Sequence, residues 1–223
     1  MKKKSQRFLM VKGFYHIFRQ EPFYVLKTIL RRPFSYFWRY ILSFKTKRGH
    51  IPEGAYLYGF KDIKSFKKSI NTKKSQLILG SSYCQRPKNC PTIRFSSICP
   101  LENNICYTCP ISTYKKLLKR NDSFIMITTA LELGKKIISL QKTHPEKDII
   151  FILSSCDLSQ EIFTFFSYIL GIKGIAFSLR GNICKNFKSF KHAEEGKKKA
   201  QTYLDSKQNM LIKELLILRK KTL

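Results

Sequence analysis

From residue 76 onward the chain alternates between two patterns that restrict its fold to very few choices. Four short runs are almost wholly apolar: 76–83 (QLILGSSY), 123–128 (SFIMIT), 148–153 (DIIFIL) and 174–179 (GIAFSL). Between them, residues 112–120, 131–142 and 159–170 carry apolar side chains at helical spacing. A strand that is apolar on both faces has to be covered on both faces. Strands alternating with amphipathic helices satisfy that need by forming a parallel sheet between two helical layers.

The expectation is therefore an α/β fold: a parallel, Rossmann-like sheet of about four strands with helices on both faces. A chain of 223 residues with 43% hydrophobic content suffices for one such core and an extension. Four segments follow: a basic aromatic helical extension at 1–50, a connection at 51–75, the α/β domain at 76–190 and a basic helix at 191–223.

The parallel arrangement also makes a prediction about chemistry. In such a sheet the carboxyl ends of the strands share one edge, and ligands bind there. Cys84 ends the first apolar run, Cys156 follows the third and Cys184 the fourth, while Thr128 and Thr129 end the second. A cysteine-rich loop starts at the same edge and can fold over it. It holds Cys84, Cys90, Cys99, Cys106 and Cys109, the last two as Cys-x-x-Cys.

Sulfur donors select zinc, copper(I) or iron–sulfur clusters over magnesium and calcium. Zinc sites and cubane clusters each take about four ligands, so seven cysteines divide as four and three. Cys90, Cys99, Cys106 and Cys109 are the leading ligands, and Cys84, Cys156 and Cys184 form a second site or serve as redox thiols. His192, eight residues past Cys184, is the candidate for an eighth donor. An iron–sulfur cluster and a structural zinc both fit this pattern. The plainer reading of Cys156 and Cys184 is as small core hydrophobes. An odd number of cysteines with no evident secretion signal points to a reducing cytosol rather than a disulfide framework.

Charge is the other strong signal. The chain has 43 Lys and Arg against 14 Asp and Glu, a net charge of +29, which calls for an anionic partner surface. Residues 1–50 concentrate it: 13 basic residues, the single acid Glu21 and 12 aromatic residues. Pro22 and Pro33 divide the segment into short helices. In the last of these Phe34, Phe37, Trp38, Ile41 and Leu42 share one face. Basic residues interleaved with aromatics suit a helix lying on an anionic membrane, which would place the protein on its inner face. Packing of this face against the domain and binding of nucleic acid are the alternatives. No run approaches the roughly 20 apolar residues of a membrane span.

Other signals are weaker. Thr129 with Glu132 reads as a helix cap, Asp157 and Ser159 as caps of the next helix, and Gly171 and Gly174 as turn residues. The terminal helix carries Leu211, Ile212, Leu215, Leu216 and Leu218 on one broad face for packing. No phosphate-binding glycine motif and no Ser/His/Asp pattern is present, so neither nucleotide binding nor hydrolysis is indicated.

The order Cys84, Cys90-Pro91, Cys99, Cys106-x-x-Cys109, Ser155-Cys156-Asp157-Leu158 and Gly181-Asn182-Ile183-Cys184-Lys185-Asn186 resembles a cysteine-rich family of bacteria and archaea, domain of unknown function 116. The likeness covers about residues 76–190. The spacing between Cys99 and Cys106 is wider than in that family, and the segment 128–134 has one glycine where the family is glycine-rich. The resemblance implies a cysteine-ligated metal, an iron–sulfur cluster foremost, with a redox or accessory role and no assigned reaction.

Overall fold

The computed structural model describes residues 3–31, 33–43, 49–100 and 104–221. Three helices open the chain: α1 (Lys3–Gln20), α2 (Pro22–Leu30) and α3 (Pro33–Ser43). Both prolines stand at a helix start, where the missing N–H has no intrahelical partner to lose. There follow β1 (Gly49–Ile51), β2 (Ala55–Tyr58), α4 (Ile63–Ile70) and β3 (Ser75–Ser82). The cysteine loop opens with a 3-10 turn at Tyr83–Gln85, carries the single turn α5 (Ile105–Thr108) and leads into α6 (Pro110–Leu117) and β4 (Ser123–Ile127). Then come α7 (Ala130–Thr143), β5 (Asp148–Ser155), α8 (Asp157–Leu170) and β6 (Lys173–Ser178). The short strand β7 (Arg180–Gly181), α9 (Phe187–Glu194), β8 (Thr202–Tyr203) and α10 (Ser206–Lys221) complete the chain.

The main sheet has six strands among the described residues, in the order β1-β2-β6-β5-β3-β4. Its four parallel strands are the four apolar runs of the sequence. The sheet extends beyond these four: β2 adds antiparallel to β6, and β1 antiparallel to β2. Three and four residues long, they are too short for a periodic pattern to register. They bury Ile51, Ala55, Leu57 and Tyr58 even so.

Successive residues of each parallel strand face opposite layers, as a period of two requires. Leu77, Leu79, Ile150, Ile152, Ile175 and Phe177 pack with α4 and α10. Ile78, Ile149, Phe151, Leu153 and Ala176 pack with α7 and α8. Leu211, Ile212, Leu215 and Leu216 of α10 are buried in the first of these layers. The final helix begins later than the lysine-rich sequence suggests: α9 ends at Glu194, Gly196 turns the chain at a φ of 73° that favours glycine, and α10 starts only at Ser206.

Connection order decides where a site falls. From β3 the chain crosses to β4 on one side, then returns by α7 to β5 on the other side of β3. The carboxyl ends of β3 and β5 therefore flank the topological switch point, where open α/β sheets hold their ligands.

Candidate functional site

Cys84 sits in the turn that follows β3, and Cys156 directly follows β5. Two cysteines thus stand on either side of the switch point. Cys184, after β7, reaches the same place, and all three are buried. They line a common cavity of ≈ 330 Å³.

The neighbouring Cys184 thiol does most to pull Cys156 down, to about 6, while Cys184 itself donates to the Ser189 carbonyl at 3.6 Å. Ser159 Oγ, 3.0 Å from the Cys156 sulfur, and the more distant charge of Lys198 act in the same direction. Cys184 is pushed up, by its bond to Cys156 and by burial. The coupling therefore favours ionisation at Cys156 before Cys184. Lys198 Nζ lies 3.7 Å from the Cys184 sulfur, and Cys84 adds repulsion to a thiolate at Cys184.

The linkage has a definite sign. Stability from the lowered Cys156 is complete above the ordinary thiol range and is lost as pH falls through about 6. The raised Cys184 works oppositely, its contribution fading as pH climbs past the ordinary thiol range. In metal-free protein, modification of Cys156 by methyl methanethiosulfonate should follow an apparent pKa of about 6, read by mass spectrometry of its peptide. Cys184→Ala should move that profile upward. An unchanged profile would show that Cys184 does not set it.

The loop between β3 and α5 is organised around two arginines that sequence reasoning passed over. The buried Arg86 donates to the carbonyls of Ile93 at 2.7 Å and Arg94 at 3.2 Å, and also to that of Ile98. Arg94 donates to the Cys84 and Ala200 carbonyls, each at 3.2 Å, and to that of Lys199. Lys115 of α6 closes the far side with a 2.6 Å bond to the Cys99 carbonyl. A guanidinium offers five donors in a fixed fork, so one side chain can hold several carbonyls of an irregular loop. Nothing in the spacing QRPKNC distinguishes such an arginine from a solvated one.

Within this frame Cys90, Cys99 and Cys109 come close enough to interact. Burial raises the Cys99 thiol first, Arg86 and Lys115 oppose that, and the charges of Cys109 and Cys90 add to it. The Cys106 sulfur lies 3.7 Å from the Pro100 carbonyl, beside Cys99. Three cysteines thus line one cavity at the strand ends, and in the loop Cys99 feels the charges of Cys90 and Cys109. Among the described residues no three Cys, His, Asp or Glu side chains form a ready-made metal site. His192 is exposed on α9 and does not line the cavity.

The chain matches no family model, no curated protein and no solved structure. What the site can do must be read from its own residues.

Two neighbouring expectations fare differently. Thr129 caps α7, accepting from the Glu132 N–H at 3.1 Å. Asp157 does not cap α8; it accepts a 2.5 Å bond from Ser178 Oγ, and Cys156 occupies the cap position. Gly171 ends α8 in the left-handed region at φ 68°, whereas Gly174 lies inside β6, where a Cβ would stand 2.2 Å from the Phe151 carbonyl.

The amino-terminal helices roof this site. Phe14 of α1 packs edge-on to Phe165, and His16 Nε2 lies 3.5 Å from Glu194 Oε2. Lys135 of α7 holds Glu21 at 2.5 Å, and Arg39 of α3 donates to the Ile169 carbonyl at 3.3 Å. Tyr24, Val25, Ile29 and Tyr36 line the cavity. The outer side of α2 and α3 leaves Phe23 87%, Phe34 88% and Trp38 63% exposed, with Leu30, Phe37 and Ile41 beside them. Among the described residues no helix is long and apolar enough to cross a membrane.

Proposed function

We propose that the protein holds a cysteine-ligated metal, an iron–sulfur cluster foremost, at the carboxyl edge of its sheet, and works in a redox or accessory role at an anionic membrane surface. The observation that carries this reading is the meeting of Cys84, Cys156 and Cys184, from three separate strand ends, in one cavity at the switch point. Cys156 and Cys184 pack with Ile162, Phe190 and Ala193, yet Ser159 and Lys198 reach their sulfurs, which core packing alone does not require.

The donor chemistry fits a soft metal: sulfur throughout, with a site that favours a thiolate at Cys156. Cys90, Cys99, Cys106 and Cys109 would supply the ligands from the loop, which Arg86 braces through its own carbonyls and Arg94 ties to the Cys84 carbonyl. A bound cluster supplies one-electron chemistry or, with an open iron, a Lewis acid. The chain's part is to gather the sulfurs, place Lys198 against their charge and keep water out beneath the helical roof. The resemblance to domain of unknown function 116 points the same way.

Serine in place of a thiolate keeps the size but loses the soft donor. Cys109→Ser is therefore expected to lower the metal bound per chain by more than half, on the loop-ligand reading, measured on protein purified without oxygen. Metal content unaffected by Cys109→Ser, Cys99→Ser and Cys156→Ser in turn would show that these thiols are not ligands.

A further inference from the structure

The cavity at the switch point is longer than a metal site requires. From the Cys156 end its wall follows one stripe of α8: Ser159, Ile162, Phe163, Phe166, Ile169 and Leu170. These positions recur at three- and four-residue spacing, so they stand in line along roughly 16 Å of helix. Leu131, Gly134 and Ile138 of α7 form a second wall, and α2 and α3 the roof. At the strand-end side stand Cys84, Cys156, Cys184 and Lys198, with the Glu194 carboxylate, which accepts from the Ala130 N–H, also on the wall. The result is an apolar tube with a cation and thiols at one end.

The cavity of ≈ 330 Å³ opens in part to solvent, and its apolar wall offers water few partners. The volume falls within the range of small-ligand pockets, about 300–1,000 Å³, and has room for roughly ten groups the size of a water molecule or a methylene.

Gly134 supplies an independent observation. It lies within α7, where glycine weakens a helix relative to alanine. A Cβ built there meets no atom within 4 Å. No neighbour demands a glycine, and the space before it belongs to the tube. Directly above, the same two helices that roof the tube turn Phe23, Phe34 and Trp38 outward.

We propose that the tube binds a single medium-length fatty acyl chain, its hydrocarbon along α7 and α8 beneath the helical roof and its polar end beside Lys198. The other lysine on the wall, Lys135, is held by Glu21, whereas Lys198 has, among the described residues, only the 3.7 Å contact with the Cys184 sulfur and stands where a carboxylate or ester would end. This goes beyond the metal reading and does not depend on it.

The test uses the full chain and dansyl-labelled undecanoic acid, displaced by dodecanoic acid. Saturable binding is expected. Gly134→Leu, which puts a side chain into the tube, should weaken it at least about tenfold while the melting temperature stays level or rises. Photoreactive dodecanoic acid should crosslink to residues 131–138 and 159–170. Mass spectrometry of lipid extracted from the protein tells a free fatty acid from a phospholipid-borne chain; either meets the proposal. Absence of saturable probe binding, unweakened binding by a folded Gly134→Leu, or crosslinks confined elsewhere would overturn it. Should Gly134→Leu fail to fold, the crosslink map on the native chain decides. Metal content, read on the same samples, keeps a failure here separate from a failure of the metal reading.

Discussion

Asp122→Ala is expected to remove about 3–5 kcal/mol of stability, enough to leave many small domains largely unfolded at 37 °C. Asp122 is fully buried and Arg219, near the end of α10, is 8% exposed, so neither charge has water to fall back on. The carboxylate receives the guanidinium at 2.9 and 3.3 Å. The same guanidinium donates to the carbonyls of Ile70 at 2.6 Å, Thr72 at 3.3 Å and Ser75 at 2.8 Å. It therefore ties α10 to the end of α4 and to the start of β3.

Removing Asp122 strands a buried cation, which is the costly half of such a pair. An apolar pair at the two positions should recover only part of the loss, because the three carbonyls lose their donor. Guanidinium denaturation of the wild type and the variants measures this. A loss below about 1 kcal/mol for Asp122→Ala would mean that the pair is solvated in solution.

The second large effect concerns the helical roof. Paired Phe34→Asp and Trp38→Asp changes are expected to weaken binding to phosphatidylserine-containing vesicles by at least about tenfold, since each removes a large apolar contact and adds a repelled charge. Both residues point outward and touch little of the domain, so the melting temperature should move little. Binding by the wild type should also weaken with salt. Co-sedimentation decides it. Vesicle binding that persists in the doubly substituted protein would show that the exposed aromatic face is not the contact. Competition by a DNA oligonucleotide would point to the nucleic-acid alternative.

The sequence carried the sheet because the four parallel strands are buried on both faces and so read as unbroken apolar runs. It did not carry β1 and β2, where three or four residues cannot establish a period. Cys84, Cys156 and Cys184 were legible as neighbours because each follows a strand of a parallel sheet, and the structure brings them into one cavity. Arg86, Arg94 and Lys198 escaped notice because 43 basic residues conceal the few that are buried or directed at a carbonyl or a sulfur. The tube escaped for a different reason. It is walled by α7 and α8 and closed by α2 and α3, a pairing of distant segments that no local pattern announces. Gly134 was the one available hint, a glycine inside a helical run.

The most direct measurement is iron, zinc and acid-labile sulfide per chain, with a visible spectrum, on protein purified without oxygen. Iron with sulfide and a brown chromophore is the result expected if these thiols hold a cluster. Zinc without a chromophore would contradict electron transfer and leave a metal-stapled binding protein. Neither metal would contradict the claim that the converging thiols are ligands at all.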